Sequence, residues 1–299
     1  MLRYTLHEKL GDGGYGSVFM GRDPIGIRYA IKVLPRNKNK RDRVQTEVEV
    51  MQALVQSTRV PRFIEACEDD DSFYIIQEWC KGGVLKQYFS GKDLYGENTV
   101  ASIIRGVLRG LCHIHDRNII HRDIKSSNIM LADPSDDAEV RLIDFGAAIW
   151  CKGETVECSD LIGTPWFVSP EGLGHTFTFK SDVWSVGVLT YQLLSGKMPF
   201  NDIQNPTNPS LNVIFRMIFT HDPTYDKGVW TDISEDAKDF ISKCLNKDYT
   251  QRPSAIEALD HPWLTKTDCN DRFTGTPLVC SPFICDDGTI MHARTMINI

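Results

Sequence analysis

The sequence predicts an α+β chain folded as two lobes: a small antiparallel β-sheet lobe that carries one helix, then a larger, mainly helical lobe. Three observations predict it. Up to about residue 80 the chain runs through short stretches rich in β-branched and aromatic residues, bounded by Gly, Asp and Pro. From about residue 98 the apolar residues recur with helical period instead. Further on, DVWSVGVLTYQLL is apolar nearly all round, the mark of a helix buried at the centre of a helical lobe. At 299 residues, 41% hydrophobic and 24% charged, the chain is long enough for two lobes with separate cores.

From the N-terminus, RYTLHEKL and GSVFMG read as the first two strands. GDGGYGSV lies across their junction and holds a Gly-x-Gly-x-x-Gly triplet of Gly11, Gly13 and Gly16. Glycines so spaced let backbone N–H groups approach a phosphate, either in a dinucleotide-binding strand-to-helix turn or in a hairpin folded over ATP. A dinucleotide turn opens a helix, whereas SVFMGRD runs into a second turn at Gly21 and Pro24, so the β-ribbon is the better reading. RYAIKVL is the next strand, RDRVQTEVEVMQALV a helix inserted in the sheet, and FYIIQEW a further strand. Val100, Ile103, Ile104, Val107, Leu108, Leu111 and Ile114 then mark one face of a helix that ends just before HDRNII.

HRDIKSSNIM, followed by IDFG, turns this pattern toward chemistry. Phosphoryl transfer needs a carboxylate to orient the attacking hydroxyl, cations over the phosphates and oxygen ligands for Mg²⁺. Asp123 can accept the hydroxyl proton, Lys125 can neutralise charge on the transferred group, Asn128 and Asp144 can ligate a metal, and Lys32 in YAIK can reach the α- and β-phosphates. Each alone reads as a solvated polar residue; in this order together they do not.

Composition removes other classes. With 33 basic against 40 acidic residues and a net charge of −7, no general nucleic-acid surface is expected. Nothing resembles a signal peptide, and the most apolar stretch opens on an acid and is too short to span a bilayer, so the chain reads as soluble with no membrane span. Nine cysteines without short paired spacing argue against a disulfide framework and for a reducing compartment. Cys151 and Cys158, and in the tail Cys269, Cys280 and Cys285 with His292 nearby, lack the close ligand pair of a zinc site and read as free thiols.

GDGGYGSV, YAIK, HRDIKSSN, DFG, GTPWFVSPE, DVWSVGV and QRPS occur in this order, and through them the chain resembles the eukaryotic protein kinases over about residues 4 to 264. The resemblance implies the bilobal protein-kinase fold, with an ATP-binding lobe at 1–78, a helical catalytic lobe at 79–265 and a tail of unknown role at 266–299. It implies ATP as co-substrate, Mg²⁺ or Mn²⁺ as cofactor and a protein substrate bearing Ser or Thr; a monomer is expected. Lys125 two residues after Asp123, with Thr164 in GTP, is similar to the serine/threonine kinases rather than the tyrosine kinases. The layout from FYIIQEWCKGG through LLSGKMPF and HPWL is most similar to the calcium/calmodulin-dependent group, particularly its plant and algal members. These residues hold no EF-hand ligand spacing, and the tail lacks the basic amphipathic pattern of a calmodulin target. DFGAA is similar to the same stretch of algal thylakoid kinases; the localisation is left unknown, the reducing compartment expected from the cysteines being the cytoplasm or the stromal side of a chloroplast. The rival is a pseudokinase-type nucleotide-binding scaffold, against which the intact set Lys32, Asp123, Asn128 and Asp144 stands.

Further roles follow from the resemblance alone. Glu47 is the expected helix partner of Lys32, with Glu49 as the alternative. Val18, Ala30 and Met130 match the adenine sandwich; QEWC matches the hinge, with Gln77 as gatekeeper and Glu78 and Cys80 offering backbone hydrogen bonds. Glu171 is expected to pair with Arg252, and Asp182 to serve structurally. Asp160 stands where many kinases carry a phosphothreonine, and is expected to face Arg122 and to hold the activation loop without phosphorylation. Val84, Ser127, Trp166 and Gln192 stand where basophilic relatives carry arginine-reading acids, so no arginine requirement is expected. Leu161, Pro165 and Val168 would form an apolar pocket for the residue after the target hydroxyl. NDIQNPTNPSL and ADPSDDAEV are extended loops, the first a candidate docking surface.

Overall fold

The computed structural model describes residues 3–89, 95–133, 139–160, 163–226 and 228–266. Leu161, the middle of ADPSDDAEV and, beyond residue 266, the tail with its three cysteines and His292 lie outside the described residues.

Five antiparallel strands form the first sheet: β1 (Thr5–Gly13), β2 (Gly16–Arg22), β3 (Arg28–Pro35), β4 (Phe63–Glu68) and β5 (Ser72–Glu78), in the order β1-β2-β3-β5-β4. The helix α1 (Arg41–Ala53) is inserted between β3 and β4. Its Val44, Val48 and Met51 are buried with Leu34 of β3 and Phe73 and Ile75 of β5, the i, i+4, i+7 stripe that sequence periodicity marks. β4 is an edge strand without a sequence signal: Glu65 and Glu68 stand three residues apart, which breaks the period of two, and its second half is exposed. Charge on an exposed edge is a usual guard against strand addition.

The helical part begins with α2 (Glu97–His115), which buries Val100, Ile103, Ile104, Val107, Leu108, Leu111 and Ile114, the face expected from the sequence. Short paired strands follow: β6 (Ile119–Ile120), β7 (Ile129–Leu131), β8 (Val140–Leu142), β9 (Ile149–Trp150) and β10 (Val156–Glu157). β6 pairs with β9 and β7 with β8, which holds the two loops carrying Asp123 and Asp144 side by side. α2 lies directly on β8: a Cβ on Gly106 would fall 2.7 Å from Val140 and one on Gly110 2.9 Å from Leu142, so only glycine permits this approach.

After α3 (Pro170–Leu173) and β11 (Thr176–Phe177), which pairs with β10, comes α4 (Phe179–Ser195), buried on nearly all sides as its sequence predicts. Thr178 and Ser181 form a capping box at its start. α5 (Leu211–Thr220), α6 (Glu235–Cys244), α7 (Ala255–Leu259) and α8 (Pro262–Thr265) complete the lobe. One hydrophobic core runs from α1 and β5 through α2 to α4 and α6. Among the described residues no helix is long and apolar enough to cross a membrane.

Candidate active site

β1 and β2 form the hairpin that carries the glycines, with Gly13 opposite Gly16 and Gly11 opposite Val18. A Cβ on Gly16 would meet the Val33 carbonyl at 2.1 Å, so this glycine is required by packing, whereas one on Gly11 or Gly14 would meet nothing within 4 Å. The open side of the hairpin at these two positions is what a phosphate cradle needs.

Lys32 comes from β3, Glu47 from α1 and Asp144 from the loop after β8. Lys32 Nζ donates to Glu47 Oε1 at 2.6 Å and to Asp144 Oδ1 at 2.7 Å. Glu49 instead accepts from Gln45 on the exposed side of α1, so the pair left open by sequence resolves onto Glu47. Burial opposes the Lys32 charge, but the two carboxylates outweigh it and hold the amine well above the ordinary lysine range. Burial likewise opposes the Asp144 charge, yet Lys32 draws its pKa down to about 2. Asp144 also sits at φ 63°, a left-handed conformation that costs a non-glycine residue roughly 1–3 kcal/mol and persists only where the surroundings impose it.

The loop between β6 and β7 carries the second cluster. Asp123 is buried and accepts on both oxygens: Oδ1 from Thr164 N at 3.2 Å and Thr164 Oγ1 at 3.0 Å, Oδ2 from Asn128 Nδ2 at 2.8 Å. Lys125 Nζ lies 2.8 Å from Asp123 Oδ2 and donates to Thr164 Oγ1 at 2.7 Å, closing a triangle. Below it, the fully buried Asp182 of α4 accepts from the backbone N–H groups of His121 and Arg122 and pairs with His115 Nε2, all at 2.9 Å. Burial would raise the Asp182 pKa, but these bonds, His115 foremost, lower it. Sequence reading gave Asp182 a structural role without a partner; the partners are a helix end and a loop, which no local spacing announces.

Asp144 and Asn128 are the candidate metal ligands. Lys32 and the Gly146 N–H both bond Asp144 on Oδ1, and Asn128 bonds Asp123 through Nδ2. That leaves Asp144 Oδ2 and Asn128 Oδ1 as the atoms able to face a cation. A carboxylate and an amide oxygen are hard donors that fit Mg²⁺ or Mn²⁺, which take few protein ligands and complete their shell with phosphate oxygens and water. Among the described residues no group of three or more His, Cys, Asp or Glu side chains could hold a metal ion. Cys151 instead donates to the Gly153 carbonyl, in keeping with a free thiol.

The strand register sets the remaining expected residues beside one another. Val18 pairs with Lys32, Ala30 with Gln77, and Met130 bridges Val84. The Glu78 N–H donates to the Arg62 carbonyl and its carboxylate pairs with Arg141 at 2.7 Å, while Cys80 is buried.

Glu171 and Arg252 form a buried, two-pronged pair at 2.7 and 3.0 Å. Asp160 does not behave as expected. It is exposed, and among the described residues it forms no ion pair with Arg122. The Arg122 guanidinium instead donates to the Ala147 carbonyl at 2.6 Å and to Cys158 Sγ at 2.9 Å, and lies over the Phe177 ring. The reason is the β10–β11 pairing: it fixes Glu157 opposite Thr176, and Cys158, bonded to the His175 backbone, is thereby the residue presented to Arg122.

Two residues of this region went unread in the sequence. Arg43 of α1 donates to the Gly146 carbonyl and lies against the Tyr15 ring, and Asn39 donates to the Tyr15 carbonyl. Arg43 stands four residues before Glu47 and so on the same helix face, the one signal that could have found it.

A family model described as "Protein kinase domain" matches residues 4–264. The chain is 31% identical to "CDPK-related kinase 3" of Arabidopsis thaliana over 271 residues, 88% of this chain and 44% of that one. It is 33% identical to "Calcium-dependent protein kinase 12" of Oryza sativa subsp. japonica, covering 90% of this chain and 50% of the relative. To "Calcium-dependent protein kinase 3" of Plasmodium berghei (strain Anka) it is 35% identical, covering 88% and 47%. The chain thus spans half the length or less of these relatives.

Proposed function

The chain belongs to the protein kinase family, and from that premise we propose that it is an ATP-dependent serine/threonine kinase that moves the γ-phosphoryl group of ATP to Ser and Thr hydroxyls of proteins. One observation carries this reading: Asp123, Lys125 and Thr164 meet within 3.0 Å of one another through their side chains, with Asn128 bonded to the same carboxylate. Asp123 is the group to orient the substrate hydroxyl and take its proton, and Thr164 and Asn128 fix its two oxygens in place. Lys125 supplies positive charge next to that carboxylate, where charge develops on the transferred group. Lys32, fixed and charged by Glu47, is the cation for the α- and β-phosphates. Mg²⁺ held by Asp144 and Asn128 would offset phosphate charge. The names of the relatives support a protein kinase; calcium control is not proposed, because these residues include no EF-hand spacing.

The purified chain, given radiolabelled ATP, Mg²⁺ and a mixed Ser/Thr peptide library, should transfer label. Asp123→Asn should bind Mg²⁺-ATP nearly as the parent does and lose turnover, whereas Asp144→Asn should lose Mg²⁺-ATP retention as well. A parent chain that binds ATP but labels no peptide would replace this reading with the scaffold.

A further inference from the structure

We propose that Arg43 is a positioning residue that clamps the tip of the glycine-rich hairpin and the glycine of the metal loop to α1, setting the affinity for ATP. The inference rests on the kinase reading above and adds a residue to it.

Arg43 Nε and Nη2 both donate to the Gly146 carbonyl, at 3.0 and 2.9 Å. The guanidinium carbon lies 3.5 Å from the centre of the Tyr15 ring, close contact for a cation against an aromatic face. Among the described residues no carboxylate lies within ion-pair distance of Arg43; its charge acts on Glu47 from further off, and the ring and the carbonyl are its direct contacts. Tyr15 stands at the hairpin tip with 39% of its surface exposed, so core burial does not account for an aromatic residue there. Asn39, just ahead of α1 and itself buried, donates to the Tyr15 carbonyl at 2.7 Å and holds the same tip by its backbone.

The other end of the clamp is equally placed. Gly146 donates its N–H to Asp144 Oδ1 at 3.4 Å, and a Cβ at Gly146 would fall 3.2 Å from both Glu47 Oε2 and Lys32 Nζ. One planar guanidinium, a single helical turn from Glu47, therefore ties together the cover over the phosphates, the metal loop and α1. Lysine would bring the charge without the fork or the stacking plane. A tip already held down spends less ordering entropy when ATP arrives, so the clamp acts chiefly on KM.

The test measures kcat and KM for ATP in Arg43→Gln, Arg43→Lys, Tyr15→Phe, Tyr15→Leu and the Arg43→Gln/Tyr15→Leu double variant, with binding of a fluorescent ATP analogue followed in parallel. Arg43→Gln and Tyr15→Leu should each raise KM about three- to tenfold, the span a cation–π contact of intermediate burial supports. Arg43→Lys should fall between, Tyr15→Phe should keep the parent KM because it keeps the ring, and the double variant should be no worse than the worse single. Unchanged KM in both single variants, or effects that multiply in the double, would overturn the clamp. Tyr15→Leu lies on an exposed tip, so its result stands even if Arg43→Gln fails to fold. If no form transfers phosphate but analogue binding follows this pattern, the clamp holds and the catalytic reading falls; an active parent without the pattern means the reverse.

Discussion

Asp160 and Cys158 differ by two positions, and that offset decides which of them meets Arg122. The family pattern supplied a position for an acid but not the β10–β11 register that turns Cys158 inward. Asp160→Ala is therefore expected to change kcat less than about twofold, as for an exposed acid with no fixed partner, whereas pairing would make it slow; steady-state rates on one peptide decide. Other residues were legible for opposite reasons. Lys32, Asp123, Asn128 and Asp144 are carried by short contiguous motifs. Glu47 needed three-dimensional placement to be separated from Glu49, and Arg43 acts on a hairpin tip and a loop far away in sequence. At the buried pair, Arg252→Ala would strand Glu171 without its cation, and the loss should be about 3–5 kcal/mol, seen as a much lower thermal midpoint.

Elements were readable wherever burial imposed a period. β3, β5, α1, α2 and α4 all lie close to where hydrophobic spacing put them, because each buries a stripe or nearly its whole circumference. β4 carries its exposed half outward at the sheet edge, so its order comes from hydrogen bonds to β5 rather than from an apolar face, and backbone bonding leaves no trace in composition. The seat of α2 on β8 was also invisible, since a glycine required by a neighbouring strand looks like any helix glycine. Gly110→Val should be far worse than helix propensity alone suggests: with Leu142 already 2.9 Å from the first added carbon, overpacking costs about 1–3 kcal/mol or more, measurable as a drop in thermal midpoint. An unchanged midpoint would mean α2 can shift off β8. Thr178→Ala, which removes one side of the α4 capping box, should cost about 1 kcal/mol by the same measurement.

Across the whole molecule, charge makes two predictions. Asp144, Asp182 and Glu171 all have folded-state pKa values below the ordinary carboxylate range, despite burial that acts the other way. Their stabilisation is complete above the unfolded value near about 4 and is lost as pH falls below it toward the folded values. The thermal midpoint should accordingly fall steeply below about pH 4 through these groups, and Arg252→Leu should remove part of that slope by freeing Glu171. A midpoint that rises on acidification would contradict the assignment. The second prediction concerns substrates. With a hydrophobic, hydroxyl, aromatic or amide side chain at Val84, Ser127, Trp166 and Gln192, no carboxylate is offered to a fixed upstream arginine. Basic peptides should be preferred only diffusely, through the net charge of −7, and that preference should fade with salt. A positional peptide library that selects arginine sharply at high ionic strength would reject this.

The carboxylate of Asp182 also makes the loop that carries Asp123 a clock for the helical core. Loop amides ordinarily trade their protons for deuterium quickly, but those of His121 and Arg122 are donated to a fully buried oxygen pair rooted in α4. They are released only when the loop lifts away from the start of that helix. Isotope exchange at these two loop positions should therefore run far more slowly than at exposed loop amides, and Asp123 next to them should keep its place for as long as that buried contact survives.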